Sequence, residues 1–172
     1  MQRIHSFPPL AKAHARILIL GSMPGVASLD AYEYYAHPRN AFWTMVDSVF
    51  NIDRTLNYEM RCQRLTEHGI AVWDVLKSCH RAGSLDSDIE KDSIVANDFT
   101  GFLHKHAHIN NILFNGGMAE KSFNTHVKKN LLLKDRSLKY YRLPSTSPAH
   151  AAMTLEEKVN EWSSVLQSCL NT

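Results

Sequence analysis

The segment Gly21-Ser-Met-Pro-Gly25 places two glycines, a serine and a proline directly after an apolar run. A glycine-rich turn of this kind lets backbone N–H groups approach a phosphate or the polar edge of a flat ligand. The same composition is also typical of a simple tight turn. The segment alone therefore leaves a binding loop and a plain chain reversal as alternatives.

The segment Tyr34-Tyr-Ala-His-Pro-Arg-Asn-Ala-Phe-Trp43 mixes four aromatic residues with His37, Arg39 and Asn40. Aromatic rings at the mouth of a sheet can stack on a planar ligand, and an amide at a helix start can hold a water molecule. The alternative is structural: a hydrophobic staple with Asn40 as the N-cap of a helix. Phe42 and Trp43 belong in the core in either case.

Three hydroxyl side chains, Ser145, Thr146 and Ser147, lie on a loop bounded by Pro144 and Pro148. Short hydroxyl side chains of this kind are suited to contacts with the phosphates of a nucleic acid strand. Ser145 with His150 and Asp74 could instead form a hydrolase triad. The sequence lacks the Gly-x-Ser-x-Gly elbow that usually holds such a serine, which weighs against that alternative.

Apolar and β-branched runs predict the strands that carry these segments. The predicted strands are Arg16–Gly21, Ile70–Leu76, Ile109–Asn115 and Lys139–Leu143. Apolar residues at helical spacing predict helices over Phe42–Phe50, Tyr58–Glu67, Asn97–His106 and Met118–Lys129. Thr154 and Glu157 form a capping box that starts the last helix. That helix is expected to bury Leu155, Val159, Trp162, Leu166 and Cys169.

Strands and helices alternate along the chain, which predicts an α/β protein with three α/β/α layers and a central, mainly parallel four-stranded sheet. Ligands of such folds bind beyond the carboxyl ends of the strands. The loops expected at that edge are Gly21–Gly25, Lys77–Ser84, Gly116-Gly117 and Pro144–His150. The polar and glycine-rich segments therefore meet at one edge and predict a single site.

The composition limits the kinds of partner that this chain can have. Its 172 residues suit one domain, 1–172, and a formal charge of only +2 excludes a broadly basic coat for nucleic acid. No apolar run is long enough to span a membrane or to form the core of a signal peptide. Three scattered cysteines form no disulfide framework, so we expect a cytoplasmic protein with reduced thiols.

His104, His106 and His108 alternate along the chain, a spacing that could hold a metal. They fall where a predicted helix runs into a strand, and no fourth ligand is evident. We therefore expect neither a metal nor another cofactor.

The two loop regions together resemble the uracil-DNA glycosylase superfamily. Gly21–Gly25 with Tyr35-Ala-His-Pro-Arg-Asn40-Ala-Phe-Trp43 is similar to the first motif region, and Leu143-Pro-Ser-Thr-Ser-Pro-Ala-His150 is similar to the second. The resemblance spans nearly the whole chain and is strongest to the hypoxanthine-DNA glycosylase branch. Met23 and Leu143 are apolar where many members carry a catalytic polar residue.

The resemblance implies a role for each candidate residue. The branch uses the asparagine of the His-Pro-Arg-Asn segment, which makes Asn40 the catalytic candidate. Tyr35 would stack on a flipped base, the amides of Ser22 and Met23 would reach a base carbonyl, and Asp74 would read the base edge. Pro24 and Gly25 would shape the loop, and Ser145, Thr146, Ser147 and His150 would contact the DNA strand. A tyrosine on the surface and a strand-end aspartate capping a loop are the structural alternatives for Tyr35 and Asp74.

The resemblance implies a monomeric DNA glycosylase that hydrolyses the bond to a deaminated base, with hypoxanthine preferred, and leaves an abasic site. DNA containing such a base is the expected partner. Three alternatives remain open: excision of uracil or another mismatched base, a non-catalytic nucleic-acid-binding relative, and a Ser–His esterase.

Overall fold

The computed structural model describes residues 2–133 and 136–172. The strands are β1 Arg3–His5, β2 Ile17–Gly21, β3 Ile70–Asp74, β4 Leu76–His80, β5 Val95–Ala96, β6 Asn111–Asn115 and β7 Lys139–Leu143. The helices are α1 Val26–Ala31, α2 Phe42–Phe50, α3 Tyr58–Glu67, α4 Phe99–Lys105, α5 Gly117–His126 and α6 Leu155–Leu170. None of the helices in this part of the chain is long and apolar enough to cross a membrane.

The centre of the molecule is a parallel four-stranded sheet in the order β3-β2-β6-β7, which confirms the predicted fold class. Every residue of β2 and β3 is buried, as expected for strands covered on both faces. The register pairs Gly21 with Asp74 at the carboxyl ends of β2 and β3. These two residues are therefore neighbours at the edge where the sequence predicts a site.

Successive residues of β2 alternate between two cores, because side chains along a strand point to opposite faces. Ile17 and Ile19 pack with buried residues of α2, α3 and α6, including Trp162. Leu18 and Leu20 pack on the other face with buried residues of α4 and α5. The sheet is thus the middle of three layers.

A second, smaller sheet is absent from the sequence prediction. β4 pairs antiparallel with β1 and β5, in the order β1-β4-β5. The predicted strand Ile70–Leu76 therefore ends at Asp74, and the prediction that Lys77–Ser84 is entirely loop is wrong. Val75 is the point at which the chain leaves one sheet for the other, and its N–H donates to the Gly21 carbonyl.

Two helical predictions also need correction. Helix α1 lies in a stretch for which no element is predicted, because it is only six residues long and its N-cap Gly25 offers no side-chain cap. Leu155 is half exposed rather than buried, since it stands in the first turn of α6. The capping box of Thr154 and Glu157 is confirmed: each side chain accepts the other residue's backbone N–H, at 2.7 and 3.2 Å.

Gly116 joins β6 to α5 in a conformation that only glycine adopts easily. Its φ of 95° and ψ of 162° lie in a region that costs other residues about 1–3 kcal/mol. A Cβ at this position would lie 2.9 Å from the Cβ of Ser145. The close approach lets the chain after β6 pack against the loop that follows β7.

We expect Gly116→Ala to lower the free energy of unfolding by about 1–3 kcal/mol from backbone strain, with the contact to Ser145 adding to the loss. Urea denaturation measures this difference. The matched control is Gly117→Ala, whose Cβ would meet only Arg142 at an ordinary 3.8 Å. That control should match the wild-type protein or be up to about 1 kcal/mol more stable. Equal losses in both variants would contradict the argument.

Candidate active site

A cavity of about 320 Å³ opens at the carboxyl ends of the parallel strands. Its size lies at the lower end of the range for small-molecule sites. Most of the predicted site residues line it: Ser22, Met23, Pro24, Gly25, Tyr35, Asn40, Asp74, Ser145, Thr146 and Ser147. His150 lies one residue beyond the lining. The structure thus brings together ten of the eleven candidates.

Asn40 lies at the start of α2 and is partly exposed to the cavity. Its side-chain carbonyl oxygen accepts the backbone N–H of Phe42 at 3.0 Å. The N-cap residue of α2 is Ala41 and not Asn40, as the structural alternative had it. Asn40 supports the helix from the position before the N-cap. The bond fixes the direction of the amide oxygen, which keeps a second lone pair for another donor.

Tyr35 is not the surface residue of the structural alternative. Its ring stacks on Phe42 with centroids 4.0 Å apart and planes 22° from parallel. Its hydroxyl is fully buried and has no hydrogen-bond partner among the described residues. Burial and the nearby Asp74 carboxylate raise the pKa of Tyr35, although Asn115 acts in the opposite direction, so the hydroxyl stays protonated.

Asp74 is the last residue of β3 and is 4% exposed. One carboxyl oxygen, Oδ2, is buried without a partner, and no described residue donates a hydrogen bond to the carboxyl group. The structural alternative of a capping aspartate is therefore not supported. Burial, followed by the charge of Asp86, raises the pKa of Asp74 to about 7, although Arg81 acts in the opposite direction.

Asn115 is a site residue that the sequence analysis missed. At the end of β6, its side-chain nitrogen donates to the Thr146 hydroxyl at 2.9 Å, and its side-chain oxygen accepts the Thr146 N–H at 2.8 Å. The two bonds fasten the loop after β7 to the sheet. A signal was present, because Asn115 ends a predicted parallel strand and so had to reach the common edge.

Arg81 and Asp86 are the other residues that the sequence analysis missed. Arg81 is fully buried behind the cavity wall, and Asp86 accepts the Ser22 hydroxyl at 2.5 Å. In the sequence both stand in a polar stretch that has the composition of a solvated loop. No pattern in a single sequence indicates that an arginine in such a stretch turns inward.

Lys158 holds the loop after β7 from behind. Its ammonium donates to the carbonyls of Ser147, at 3.3 Å, and His150, at 2.7 Å. Burial lowers the pKa of this lysine. The contact places the His150 carbonyl against α6.

A second cavity of about 510 Å³ lies beside the first, and the two share Tyr35, His37 and Asn40. Arg54 and Arg61 line it. The Arg61 guanidinium lies 4.5 Å from the centroid of Trp43, an arrangement that stabilises the cation on an aromatic face. Glu33 lines the same cavity, so two arginines and one carboxylate lie next to Asn40 and give this cavity a formal charge of +1.

Comparison with known proteins agrees with this geometry. Residues 8–167 match the family model of the Uracil DNA glycosylase superfamily. The chain is a member of the uracil DNA glycosylase superfamily. Two relatives are named hypoxanthine DNA glycosylase. The Methanosarcina barkeri protein is 37% identical over 64% of this chain and 69% of its own length, and the Methanosarcina acetivorans protein is 32% identical over 94% and 96%.

The fold of this superfamily member also matches a solved structure. A Methanosarcina acetivorans protein, provisionally assigned as a uracil DNA glycosylase and solved in solution by NMR, superimposes with a TM-score of 0.79. It is 29% identical and covers 98% of this chain and 99% of its own. The expected superfamily and its layered architecture are both confirmed.

The glycosylase motifs are apolar at two positions where many superfamily members are polar. Met23 packs in the core beside α4 and α5, and Leu143 packs in the core beside α2 and α6. They are 7% and 5% exposed, so neither presents a reactive group to the cavity. Asn40 is the polar side chain that the His-Pro-Arg-Asn segment offers in their place.

The glycosylase fold does not place the Thr146 hydroxyl where a phosphate contact needs it. Thr146 is 1% exposed, and its hydroxyl accepts from Asn115. Ser145 and Ser147 remain partly exposed and line the cavity. The phosphate contacts expected of this loop therefore rest on the two serines.

The hydrolase triad and the metal alternatives gain no support from the geometry. The Ser145 hydroxyl oxygen accepts the Ser147 N–H at 3.2 Å, and no bond to His150 is present among the described residues. His106 is buried and packs on Phe102 with ring centroids 4.5 Å apart. Within residues 2–133 and 136–172, no three His, Cys, Asp or Glu side chains gather as they would around a metal ion.

Proposed function

We propose that this protein is a monofunctional DNA glycosylase that removes a deaminated base, hypoxanthine in preference, and leaves an abasic site. The observation that carries the proposal is one cavity that holds a fixed amide, an aromatic ring and a buried carboxyl group with no partner. These groups are Asn40, Tyr35 and Asp74. The names of the two Methanosarcina relatives support the choice of base.

The cavity suits a single base taken out of the helix. A duplex hides the glycosidic bond, so the target nucleotide must leave the stack, at a cost of a few kcal/mol that is smaller for a mispaired base. Phe42 covers one face of the Tyr35 ring, which leaves the other face for the base. Stacking on an aromatic ring is worth about 1–3 kcal/mol per base.

The buried polar atoms complement the edge of a deaminated base. Hypoxanthine carries an N1–H donor next to an O6 acceptor, whereas adenine carries a bare N1 next to an amino group. An ionised Asp74 accepts the N1–H, and the backbone amides of Ser22 and Met23 donate to the carbonyl. Adenine would place its lone pair against the carboxylate and its amino group against the two amides. Uracil has the same N–H and C=O arrangement and is the second candidate substrate.

Bond cleavage places positive charge on the sugar and negative charge on the departing base. Asn40 is uncharged and acts by orienting a water molecule through the free lone pair of its carbonyl oxygen. The amides of Ser22 and Met23 stabilise the charge on the base. A water bound by Asn40 then adds to C1′ of the sugar, and the proton that this water loses passes to the departing base anion.

The lining of the cavity supports hydrolysis without strand scission. Among the described residues no lysine lines the cavity, so no amine stands ready to attack the sugar. The buried Lys158 donates to the carbonyls of Ser147 and His150 and is turned away. We propose that the enzyme acts as a monomer built as the single domain 1–172.

A few contacts close to Asn40 bind the DNA strand. Arg54 and Arg61 in the neighbouring cavity and the hydroxyls of Ser145 and Ser147 lie on two sides of Asn40. Arginine and serine are common donors to phosphate oxygens. A few such contacts suffice, so a net charge of +2 is no obstacle to binding, and affinity should fall as salt rises.

The proposal is tested with duplexes that carry one inosine opposite thymine, one uracil opposite guanine, or no lesion. Alkali cleavage after incubation reports abasic sites. We expect cleavage at inosine, less at uracil and none in the undamaged duplex. Cleavage without alkali would contradict the monofunctional mechanism.

The alternatives give different outcomes in the same assay. Uracil cleaved faster than inosine would favour a uracil glycosylase, and binding without cleavage of either would favour a non-catalytic relative. The esterase alternative predicts turnover of an activated ester that a Ser145→Ala change abolishes.

A further inference from the structure

Three ionisable side chains form a charge cluster at the cavity: Asp74 and Asp86 line it, and Arg81 lies behind its wall. The Arg81 side chain is 0% exposed, and that of Asp86 is 25% exposed. Charges removed from water destabilise a fold unless each is paired or hydrogen-bonded. The arrangement of their partners therefore indicates what the cluster does.

The Arg81 guanidinium donates mainly to backbone carbonyls and makes no close salt bridge. Its Nε donates to the Gly83 carbonyl at 2.8 Å, and its Nη2 donates to the Pro24 carbonyl. The remaining nitrogen, Nη1, has no hydrogen-bond partner in the described residues and lies 3.9 Å from the Asp86 carboxylate. Arg81 therefore forms only a long ion pair with Asp86, and its positive charge also lowers the pKa of Asp74.

The cluster also supports the glycine-rich loop that forms one wall of the cavity. Arg81 holds this loop through the Pro24 carbonyl, and Asp86 holds it through the Ser22 hydroxyl at 2.5 Å. The segment after β4, which was predicted to be a plain loop, is thereby joined to the proposed base-binding wall.

The charged and titratable groups around Asp74 come from three parts of the chain. Arg81 lowers the pKa of Asp74, and Asp86 raises it. Tyr34 and Tyr35 face it as neutral hydroxyls, since burial and the Asp74 charge raise the pKa of both. Burial raises the pKa of Asp86, while the Ser22 hydroxyl and Arg81 lower it.

We propose that Arg81 and Asp86 are positioning residues that set the ionisation of Asp74, and that this ionisation decides which base edge the cavity accepts. This inference rests on the proposed function. The ionised carboxyl accepts the N–H of a deaminated base. The protonated carboxyl donates a hydrogen bond to a bare ring nitrogen such as N1 of adenine. Protonation of Asp74 therefore removes the preference for a deaminated base over adenine.

The pH dependence of base excision follows from the ionisation of the Asp74 carboxyl group. With a pKa of about 7, Asp74 is mostly ionised at pH 8 and mostly protonated at pH 6. Excision of hypoxanthine, measured as kcat/KM, should therefore fall as the pH drops through about 7. The ratio of kcat/KM for inosine over adenosine in the same duplex should fall with it.

The test compares Asp86→Asn with Arg81→Met, which remove opposite charges from the same cluster. Titration of the Asp74 carboxyl carbon is followed by NMR on ¹³C-labelled protein, alongside the acid limb of kcat/KM. Asp86→Asn should move both to lower pH by about one unit, and Arg81→Met should move both to higher pH by a similar amount. A merely structural role would not give shifts of opposite sign.

Asp88→Asn is the matched control, because Asp88 is an exposed acid two residues along the same turn. It should leave the Asp74 titration in place. Asp86→Asn keeps a side-chain oxygen for Ser22 and should therefore fold. If Arg81→Met fails to fold, Asp86→Asn by itself still tests whether the Asp74 titration moves to lower pH. No shift in Asp86→Asn, or an equal shift in Asp88→Asn, would overturn the inference.

The NMR titration separates this inference from the proposed function, because it needs no catalysis. An enzyme that cleaves inosine but shows no opposite shifts would overturn the role of Arg81 and Asp86 and leave the glycosylase activity standing. A protein that cleaves no duplex would overturn the selection step together with the proposed function.

Discussion

Asn40→Ala should lower the rate of base excision by about 100-fold or more and leave binding to the damaged duplex in place. A side chain that activates or orients the attacking group typically contributes about 10²–10⁴-fold. Single-turnover excision of inosine measures the loss, and a gel-shift titration with the same duplex measures binding.

The helix contact of Asn40 requires a control for stability. The amide oxygen accepts the Phe42 N–H, so alanine also removes support for the first turn of α2, which costs about 1 kcal/mol. Asn40→Asp keeps an oxygen for Phe42 and one for water. It should unfold at nearly the wild-type urea concentration and retain much more activity than the alanine variant.

Two outcomes would contradict this role. Unchanged excision by Asn40→Ala would remove Asn40 from the chemistry. Equal losses in the alanine and aspartate variants, at equal stability, would show that the amide nitrogen and not the carbonyl oxygen does the work.

The centre of the parallel sheet could be predicted because β2, β3 and β6 are buried on both faces. Ile17–Leu20 and Ile70–Trp73 are continuous apolar runs, a pattern typical of strands that are covered on both sides. Once the strands were parallel, their carboxyl ends had to meet. That rule alone brought Ser22 and Ser145 together, although more than 120 residues separate them, whereas Asn40 follows helix α1 and not a strand.

The small sheet could not be predicted for the opposite reason. The strand Leu76–His80 contains no β-branched side chain, and its buried and exposed residues do not alternate regularly. The two-residue repeat that marks a strand is therefore weak. Its partners, Arg3–His5 and Val95–Ala96, are three and two residues long. Strands of that length are defined by pairing with distant residues, which no local pattern records.

The sequence predicted which polar residues lie at the site, but not whether each side chain points into the protein or towards the cavity. Thr146 and Ser147 are adjacent hydroxyls on one loop, yet Thr146 is buried against Asn115 and Ser147 stays partly exposed. Arg81 turns inward because the carbonyls of Gly83, in its own segment, and of Pro24, in the glycine-rich loop, accept its N–H groups. Such choices depend on tertiary contacts, so the sequence supplies candidates and the fold decides among them.

Gly21→Ala should lower kcat/KM for inosine excision by roughly 10- to 100-fold while the fold persists. Gly21 ends β2 opposite Asp74, and a Cβ there would lie 2.5 Å from the Asp74 Oδ1 and 3.3 Å from the Tyr35 hydroxyl. The carboxyl group must move away. The site would then lose one hydrogen bond to a charged group, worth about 1.5–3 kcal/mol, and each 1.36 kcal/mol is tenfold in rate.

Gly25→Ala is the matched control for this change. It adds the same methyl group to the same loop, but its Cβ would meet only the Ser84 side chain, at an ordinary 3.5 Å. Excision by this control should stay within a few-fold of the wild-type rate, and both variants should unfold cooperatively in urea. Because the two substitutions are chemically identical, a loss in Gly21→Ala alone ties base excision to the position of the Asp74 carboxyl. Equal losses would mean that the loop, and not the carboxyl, is what the methyl group disturbs.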